Sequence, residues 1–261
     1  MARKLAIRAL LGLLFFYGLI AWGAQGIVDS MLYHPEYGSR RDPAGAFRLM
    51  LPDGTKINAL HLPNAQARHT LWYFHGNAED LGDCEARLRE FHAQGFAVFA
   101  YDYPGYGLSD GTPSEGGIYA ANAAALLHLT GKLGVPANRL VLYGRSLGGG
   151  PAVDLASKEP VAGLILESTF TSVFRVMTRW ALLPGDQFKN ARKIPQITCP
   201  LLIMHGTDDR VIPFHHGKKL FDAAHGPKRH LWVQWAGHNN LRNMAGDAYW
   251  TTFCSFTSDL P

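Results

Sequence analysis

Gly144-Arg145-Ser146-Leu147-Gly148 has the residue types and the spacing for nucleophilic chemistry. The apolar run Leu140-Val141-Leu142-Tyr143 before it reads as a buried strand, and Ala152, Val153, Leu155 and Ala156 after it fit one face of a helix. Between a strand and a helix, a G-x-S-x-G puts its serine on a tight, strained turn with the hydroxyl pushed outward. The chain two residues before and two residues after the serine passes close by, so a side chain at Gly144 or Gly148 would clash. A helix starting at Ser146 would aim unpaired N–H groups and a partial positive charge at the reaction site. The pentapeptide alone leaves two readings open: an activated serine, or a glycine-rich connection carrying a passive one.

A serine hydroxyl needs a base to take its proton, and the base needs a carboxylate to hold it in the right tautomer. The elements that would bring such partners together can be read from the chain. From His69 onward, apolar strands alternate with helical segments: Leu71–Phe74, a helix from Glu79 and Asp80 to about Gln94, Phe96–Tyr101, a helix capped by Ser114, the strand before Ser146, Ala162–Leu166, Leu201–Met204, His230–Trp235, and a final helix from about Asn239. Continuous apolar strands between helices predict a mostly parallel sheet buried on both faces, whose ligands bind at the carboxyl ends of the strands. The polar candidates follow those ends: His75 and Asn77, then Ser146, then Glu167, Ser168 and Thr169, then Asp208 and Asp209, then His238. Of the two adjacent acids, Asp209 is the choice for the histidine's partner. The loop needs His205-Gly206-Thr207 to turn away from the strand before it can reach the histidine, and Asp208 then reads as a solvent-facing turn residue.

The bulk properties narrow the alternatives. A chain of 261 residues, 47% hydrophobic, supports one large core, and residues 31–261 are expected to form one domain. Before Leu71, Phe47–Leu51 and Ile57–Leu62 flank Asp53-Gly54 as a β-hairpin. The net charge of +4 is small and shows no basic stripe interleaved with aromatics, which argues against nucleic acid as a partner. Cys84, Cys199 and Cys254 have neither zinc nor redox spacing. Ala9–Val28 carries one clearly polar residue, Gln25, over the length of about 20 residues that spans a bilayer. Arg3, Lys4 and Arg8 precede it, so residues 1–30 read as a single-pass anchor with a cytoplasmic N-terminus. The body then lies on the opposite side, the periplasm in a bacterium. The rival reading is a signal peptide cleaved at Ala21-Trp22-Gly23.

The segments Tyr73–Ala78, Asp102–Ser109, Gly144–Gly149, Glu167–Ser172, His205–Asp209 and Gly237–Asn239 together resemble the serine hydrolases of the α/β-hydrolase superfamily, in particular its membrane-anchored, α/β-hydrolase domain-containing branch. The resemblance runs from about residue 70 to 240. It implies an α/β-hydrolase fold and a triad in chain order Ser146, Asp209, His238. Asp209 is the fifth residue counting from His205, followed by Val211-Ile212-Pro213 as in similar hydrolases. The resemblance also implies an oxyanion hole from the backbone N–H groups of Asn77 and Leu147. The expected reaction is hydrolysis of a carboxylic ester or thioester through an acyl-enzyme, with no cofactor and no metal. Similar proteins often read His-Asn-Asp after the last strand, where this chain has Asn240.

Residues from about 170 to 195 form the one sizeable insertion after the serine strand, and the apolar set there, including Met177 and Trp180, reads either as a short cap walling an acyl-chain pocket or as plain packing on the sheet. Arg145 could steer an anionic substrate or pair with a local acid. Asp102 reads as a turn cap before Pro104, His205 as a structural hydrogen-bonding residue, and His215-His216 as a solvated helix start. Two other functions stay open at this stage: a peptidase or amidase using the same triad, and a catalytically silent, membrane-anchored binding protein.

Overall fold

The computed structural model describes residues 33–177 and 185–261, with positions 4, 7, 8, 10–12, 15, 17, 18, 29 and 32 ahead of them. Much of the expected anchor, and Trp180, lie outside the described residues. Among the described residues no helix is long and apolar enough to cross a membrane.

Eight strands form one sheet: β1 (Ala46–Met50), β2 (Lys56–Leu62), β3 (Thr70–Phe74), β4 (Ala97–Tyr101), β5 (Leu140–Arg145), β6 (Gly163–Glu167), β7 (Leu201–Gly206) and β8 (Lys228–Val233), in the order β1-β2-β4-β3-β5-β6-β7-β8. β1 and β2 are the expected hairpin, closed by Leu51 N–H donating to Thr55 at 2.8 Å, and β2 joins β4 antiparallel. Every pairing from β4 through β8 is parallel. The order reverses direction at β3, where β4 lies on one side and β5 on the other. Such a switch point opens a crevice at the carboxyl ends of the strands.

The helices are α1 (Leu81–Ala93), α2 (Glu115–Leu127), α3 (Gly149–Ala156), α4 (Val173–Met177), α5 (Asn190–Lys193), α6 (His215–Ala223), α7 (Leu241–Ala245) and α8 (Asp247–Ser258). Two start where the sequence signals them. Asp80 closes a capping box with Asp83 at the head of α1, and Ser114 Oγ accepts from Gly117 N–H at 3.0 Å at the head of α2. The expected final helix is two helices, broken at Gly246 with φ +52°.

Why both faces of the sheet are covered follows from strand alternation. In β3 all five residues are buried. Trp72 and Phe74 point to the layer shared with Ile118, Ala125, Ala152 and Leu220, on α2, α3 and α6. Leu71 and Tyr73 point to the other layer, shared with Leu88, Phe91, Tyr249 and Phe253 on α1 and α8. At roughly 1.5–3 kcal/mol for each fully buried large apolar side chain, these two layers dominate the energy that holds the crevice open and rigid.

Candidate active site

The crevice begins at the elbow after β5. Ser146 has φ +52°, in the left-handed region that a non-glycine residue enters only under strain. It starts a short 3₁₀ turn, Ser146–Gly148, and α3 proper begins at Gly149, so the expected helix starts three residues later than the sequence reading placed it. Two glycines permit the bend. A Cβ on Gly144 would sit 2.6 Å from Gly148 O, and one on Gly148 would sit 2.1 Å from Phe74 O. Thr169 Oγ1 donates to Ser146 O at 2.8 Å and pins the turn to the loop after β6.

Asp209, after β7, and His238, after β8, close on the serine. His238 Nδ1 lies 2.8 Å from Asp209 Oδ2, and its Nε2 lies 3.1 Å from Ser146 Oγ. An ionised carboxylate can only accept, so Nδ1–H donates to Asp209 and the lone pair on Nε2 faces the serine hydroxyl. The other oxygen of Asp209 accepts from Val211 N–H at 2.9 Å and Ile212 N–H at 2.8 Å. Burial pushes the Asp209 carboxyl up, but hydrogen bonds from His205, His238 and Ile212 outweigh it and hold it well below the usual carboxylate range. Asp208 points away, half exposed, with Arg210 Nη2 at 3.6 Å. His205 Nε2 lies 2.8 Å from Ile212 O and 3.5 Å from Asp209, the bracing role expected of it.

A cavity of about 600 Å³ opens over these groups. Ser146, Leu147, Asn77 and His238 line it together with the apolar side chains Phe170, Val173, Val176 and Ile212. The Asn77 side chain is held at both ends: Nδ2 donates to Leu32 O, and Oδ1 accepts from Tyr106 Oη at 2.6 Å and His34 N–H at 3.2 Å. That grip fixes the loop carrying its backbone N–H. Met177 falls at the end of α4, and its side chain and all of Trp180 lie outside the described residues.

Arg145, next to the serine, lines the cavity and is paired with acids. Its Nη1 lies 2.8 Å from Glu79 Oε1, its Nη2 donates to Asn239 Oδ1 at 2.7 Å, and its Nε lies 3.3 Å from Glu167 Oε1. Glu79 in turn accepts from Gly76 N–H at 2.7 Å. One guanidinium thereby ties the Asn77 loop and the His238 loop to β5. Burial pushes the Glu79 carboxyl up, but Arg145 and Arg87 overcome it and bring it down to about 2. Glu167 also accepts from Tyr143 Oη, which lies 2.7 Å from Tyr249 Oη. Sequence reading missed Glu79 and Asn239. The available signal was the arginine itself, since a buried guanidinium requires a counter-charge.

Asp102, read as a turn cap, is 1% exposed and accepts from the Leu108 N–H of its own turn as well as from Leu81 N–H at 2.7 Å. Burial pushes its carboxyl up to about 8. His216 is not solvated: it is buried, with its Nδ1 3.0 Å from Thr171 Oγ1, while His215 beside it is exposed.

Comparison with known proteins bears on this geometry. The family described as serine aminopeptidase, S33, matches residues 65–192. An α/β-hydrolase domain-containing protein of Caenorhabditis elegans, aho-3, is 43% identical over 189 residues, covering 69% of this chain and 54% of its own length. The human α/β-hydrolase domain-containing protein 17B is 39% identical over 214 residues, covering 79% of this chain and 73% of its own. The chain thus spans about half the length of the nematode relative and nearly three quarters of the human one. Among solved structures, an esterase of Pyrococcus furiosus superposes with a TM-score of 0.70 over 87% of this chain and 96% of its own, at 16% identity, a likeness of fold.

Proposed function

The chain belongs to the α/β-hydrolase domain-containing family, and from that premise we propose that it is a serine hydrolase of carboxylic esters or thioesters. The observation that carries this reading is the row Asp209–His238–Ser146, with contacts of 2.8 and 3.1 Å, at the floor of an apolar-walled cleft. As Ser146 Oγ attacks the acyl carbonyl, its proton passes to His238 Nε2, and Asp209 stabilises the imidazolium. The oxyanion is held by the N–H groups of Leu147 and Asn77. His238 then gives the proton to the departing alkoxide or thiolate. Water repeats the sequence in reverse on the acyl-enzyme, its proton going to His238 and then to Ser146 as the acid leaves. In this scheme the residues from about 170 to 195 act as a short cap on the domain spanning 31–261, with Met177 and Trp180 against the acyl chain. Residues 1–30 act as a single-pass anchor, with the catalytic domain on the side opposite a cytoplasmic N-terminus. In support of the anchor, the described side chains Leu10, Leu11 and Phe15 are all more than half exposed, as apolar residues destined for lipid would be.

The description of the matched family favours one other reading, an aminopeptidase on the same three residues. A panel of 4-nitrophenyl acyl esters, acyl thioesters and aminoacyl anilides separates the two, with Ser146→Ala as the control. We expect turnover of esters and thioesters to fall by about 10⁴-fold or more in Ser146→Ala. A variant retaining a tenth of the wild-type rate defeats the serine mechanism. Preferential anilide turnover moves the assignment to the peptidase. A reporter fused after Pro261 that is active in the cytoplasm defeats the topology.

A further inference from the structure

The cavity over Ser146 is lined by two kinds of side chain. Phe170, Val173, Val176 and Ile212 are apolar, whereas Glu79, Arg145 and Asn239 are polar. The polar three are joined through one guanidinium: Arg145 Nη1 lies 2.8 Å from Glu79 Oε1, and Nη2 donates to Asn239 Oδ1 at 2.7 Å. The second bond settles which way the asparagine amide lies. A guanidinium has donors and no acceptor, so the atom facing it must be the amide oxygen. The nitrogen end, Nδ2, has no hydrogen-bond partner among the described residues, and Asn239 is exposed where it lines the cavity.

Asn239 directly follows His238, and that adjacency decides which part of a substrate the free donor meets. His238 Nε2 lies 3.1 Å from Ser146 Oγ, and the same nitrogen must give its proton to the leaving sulfur or oxygen as the bond to the acyl carbon breaks. The leaving atom therefore sits within about 3 Å of Nε2. The group attached to it lies beside Asn239, while the acyl chain has the apolar lining. Arg145 has little charge to spare for an anion there. Its Nη1 and Nη2 are taken by Glu79 and Asn239, and its Nε lies 3.3 Å from Glu167 Oε1.

We propose that Asn239 is a specificity-determining residue for the leaving group. Its Nδ2 donates to an uncharged acceptor, of the amide-carbonyl kind, carried a few bonds beyond the scissile sulfur or oxygen. The inference rests on the acyl-hydrolase reading above. Arg145 serves it by holding the amide with its donor end free. Because Asn239 is exposed, water satisfies Nδ2 when no acceptor is present. The discrimination is that of one ordinary hydrogen bond, not the far larger penalty of a buried group left unpaired.

The test uses the full chain and three butanoyl thioesters, of N-acetylcysteamine, ethanethiol and 3-mercaptopropionate, with the released thiol measured. Asn239→Asp keeps an oxygen for Arg145 Nη2, so the tie to the His238 loop survives while the free donor becomes an acceptor. The N-acetylcysteamine-to-ethyl ratio of kcat/KM should fall about fivefold. Asn239→Leu loses both the tie and the donor, and should show the same fall in ratio with lower rates on both thioesters. The two rates come from one preparation, so their ratio is independent of the fraction folded, and drift of the His238 loop lowers both alike. The wild type should turn over the carboxylate thioester more slowly than the amide one. Unchanged ratios in both Asn239 variants, with turnover still dependent on Ser146, overturn the leaving-group role alone. Faster turnover of the carboxylate thioester overturns the choice of an uncharged acceptor. Turnover that survives Ser146→Ala overturns the hydrolase reading itself.

Discussion

Replacing Arg145 by Met strands a buried carboxylate. The Glu79 and Arg145 side chains are 18% and 9% exposed, so little solvent is present to screen the pair. The fall of the Glu79 carboxyl from 4.5 to about 2 corresponds to about 3 kcal/mol of net interaction with its ionised form. Removing one partner of a buried pair typically costs about 3–5 kcal/mol, in the same range. For a chain of this size each kcal/mol is worth about 2–4 °C, so Arg145→Met should melt roughly 6–20 °C below wild type. Glu79→Gln should cost less, because Glu167 still faces the guanidinium at 3.3 Å. In the double variant neither charge of the pair is stranded, so its loss should fall short of the sum of the two singles by about 2 kcal/mol. The pH dependence follows from the sign. Glu79 has a folded pKa below its unfolded one, so its contribution is fully present above about pH 4.5 and lost as pH falls toward about 2. The wild type should lose its margin over the double variant across that window. Urea titrations at pH 7, 4 and 3 on the four proteins measure the cycle. Turnover at pH 7 reads the second consequence: Asn239 loses its donor, the His238 loop drifts, and kcat should drop by about 10–100-fold with KM nearly unchanged. Single-variant losses that add within about 0.5 kcal/mol, with no change between pH 7 and 3, refute the coupling.

Asp209→Asn keeps the shape of the side chain but favours the wrong imidazole tautomer, and kcat should fall by about 10⁴. Asp208→Asn should stay within about tenfold, since Asp208 faces Arg210 and solvent; a stopped assay on one ester ranks the two, and the reverse order overturns the choice of acid. Asp102 keeps its proton to about pH 8 when folded and to about 3.8 when unfolded, so the wild type should lose stability as pH rises from 4 to 8, by at most about 1.4 kcal/mol per pH unit. Asp102→Asn should flatten that slope in thermal melts, and an identical slope in the variant refutes it.

The strands were legible because burial on both faces leaves a continuous apolar run with sharp ends, and β3, β4 and β7 lie within two residues of where that run places them. The elbow was legible because its glycines answer a local steric demand. What could not be read depends on contacts between distant parts of the chain. Asp102 is a buried acceptor for Leu81, 21 residues back, and no feature near Pro104 records that. The Arg145 partners lie 66 and 94 residues away. His216 is a different case: Leu220, four residues on, is buried on the same face of α6, and that spacing was available to mark the histidine as buried. The start of α3 was placed early because the left-handed backbone at Ser146 interposes a tighter turn before regular helix begins. Met177 and Trp180 are marked by their apolar bulk alone, and the cavity set that is visible, Val173, Val176 and Ile212, comes from either side of them in sequence.

From β5 onward the order of strands across the sheet is also their order along the chain. As the polypeptide leaves the ribosome, each new parallel strand can therefore be laid on the edge left by the one before. Until β8 arrives, that edge is β7, whose six residues are all buried in the finished protein. An apolar edge whose N–H and C=O groups are unpaired is a template for pairing with another chain. β8 replaces it with a strand that opens on Lys228, Arg229 and His230, the last two exposed. The loop bearing His238 follows immediately behind. A nascent chain thus acquires its defence against aggregation and its proposed general base with the same strand, and neither can precede the other.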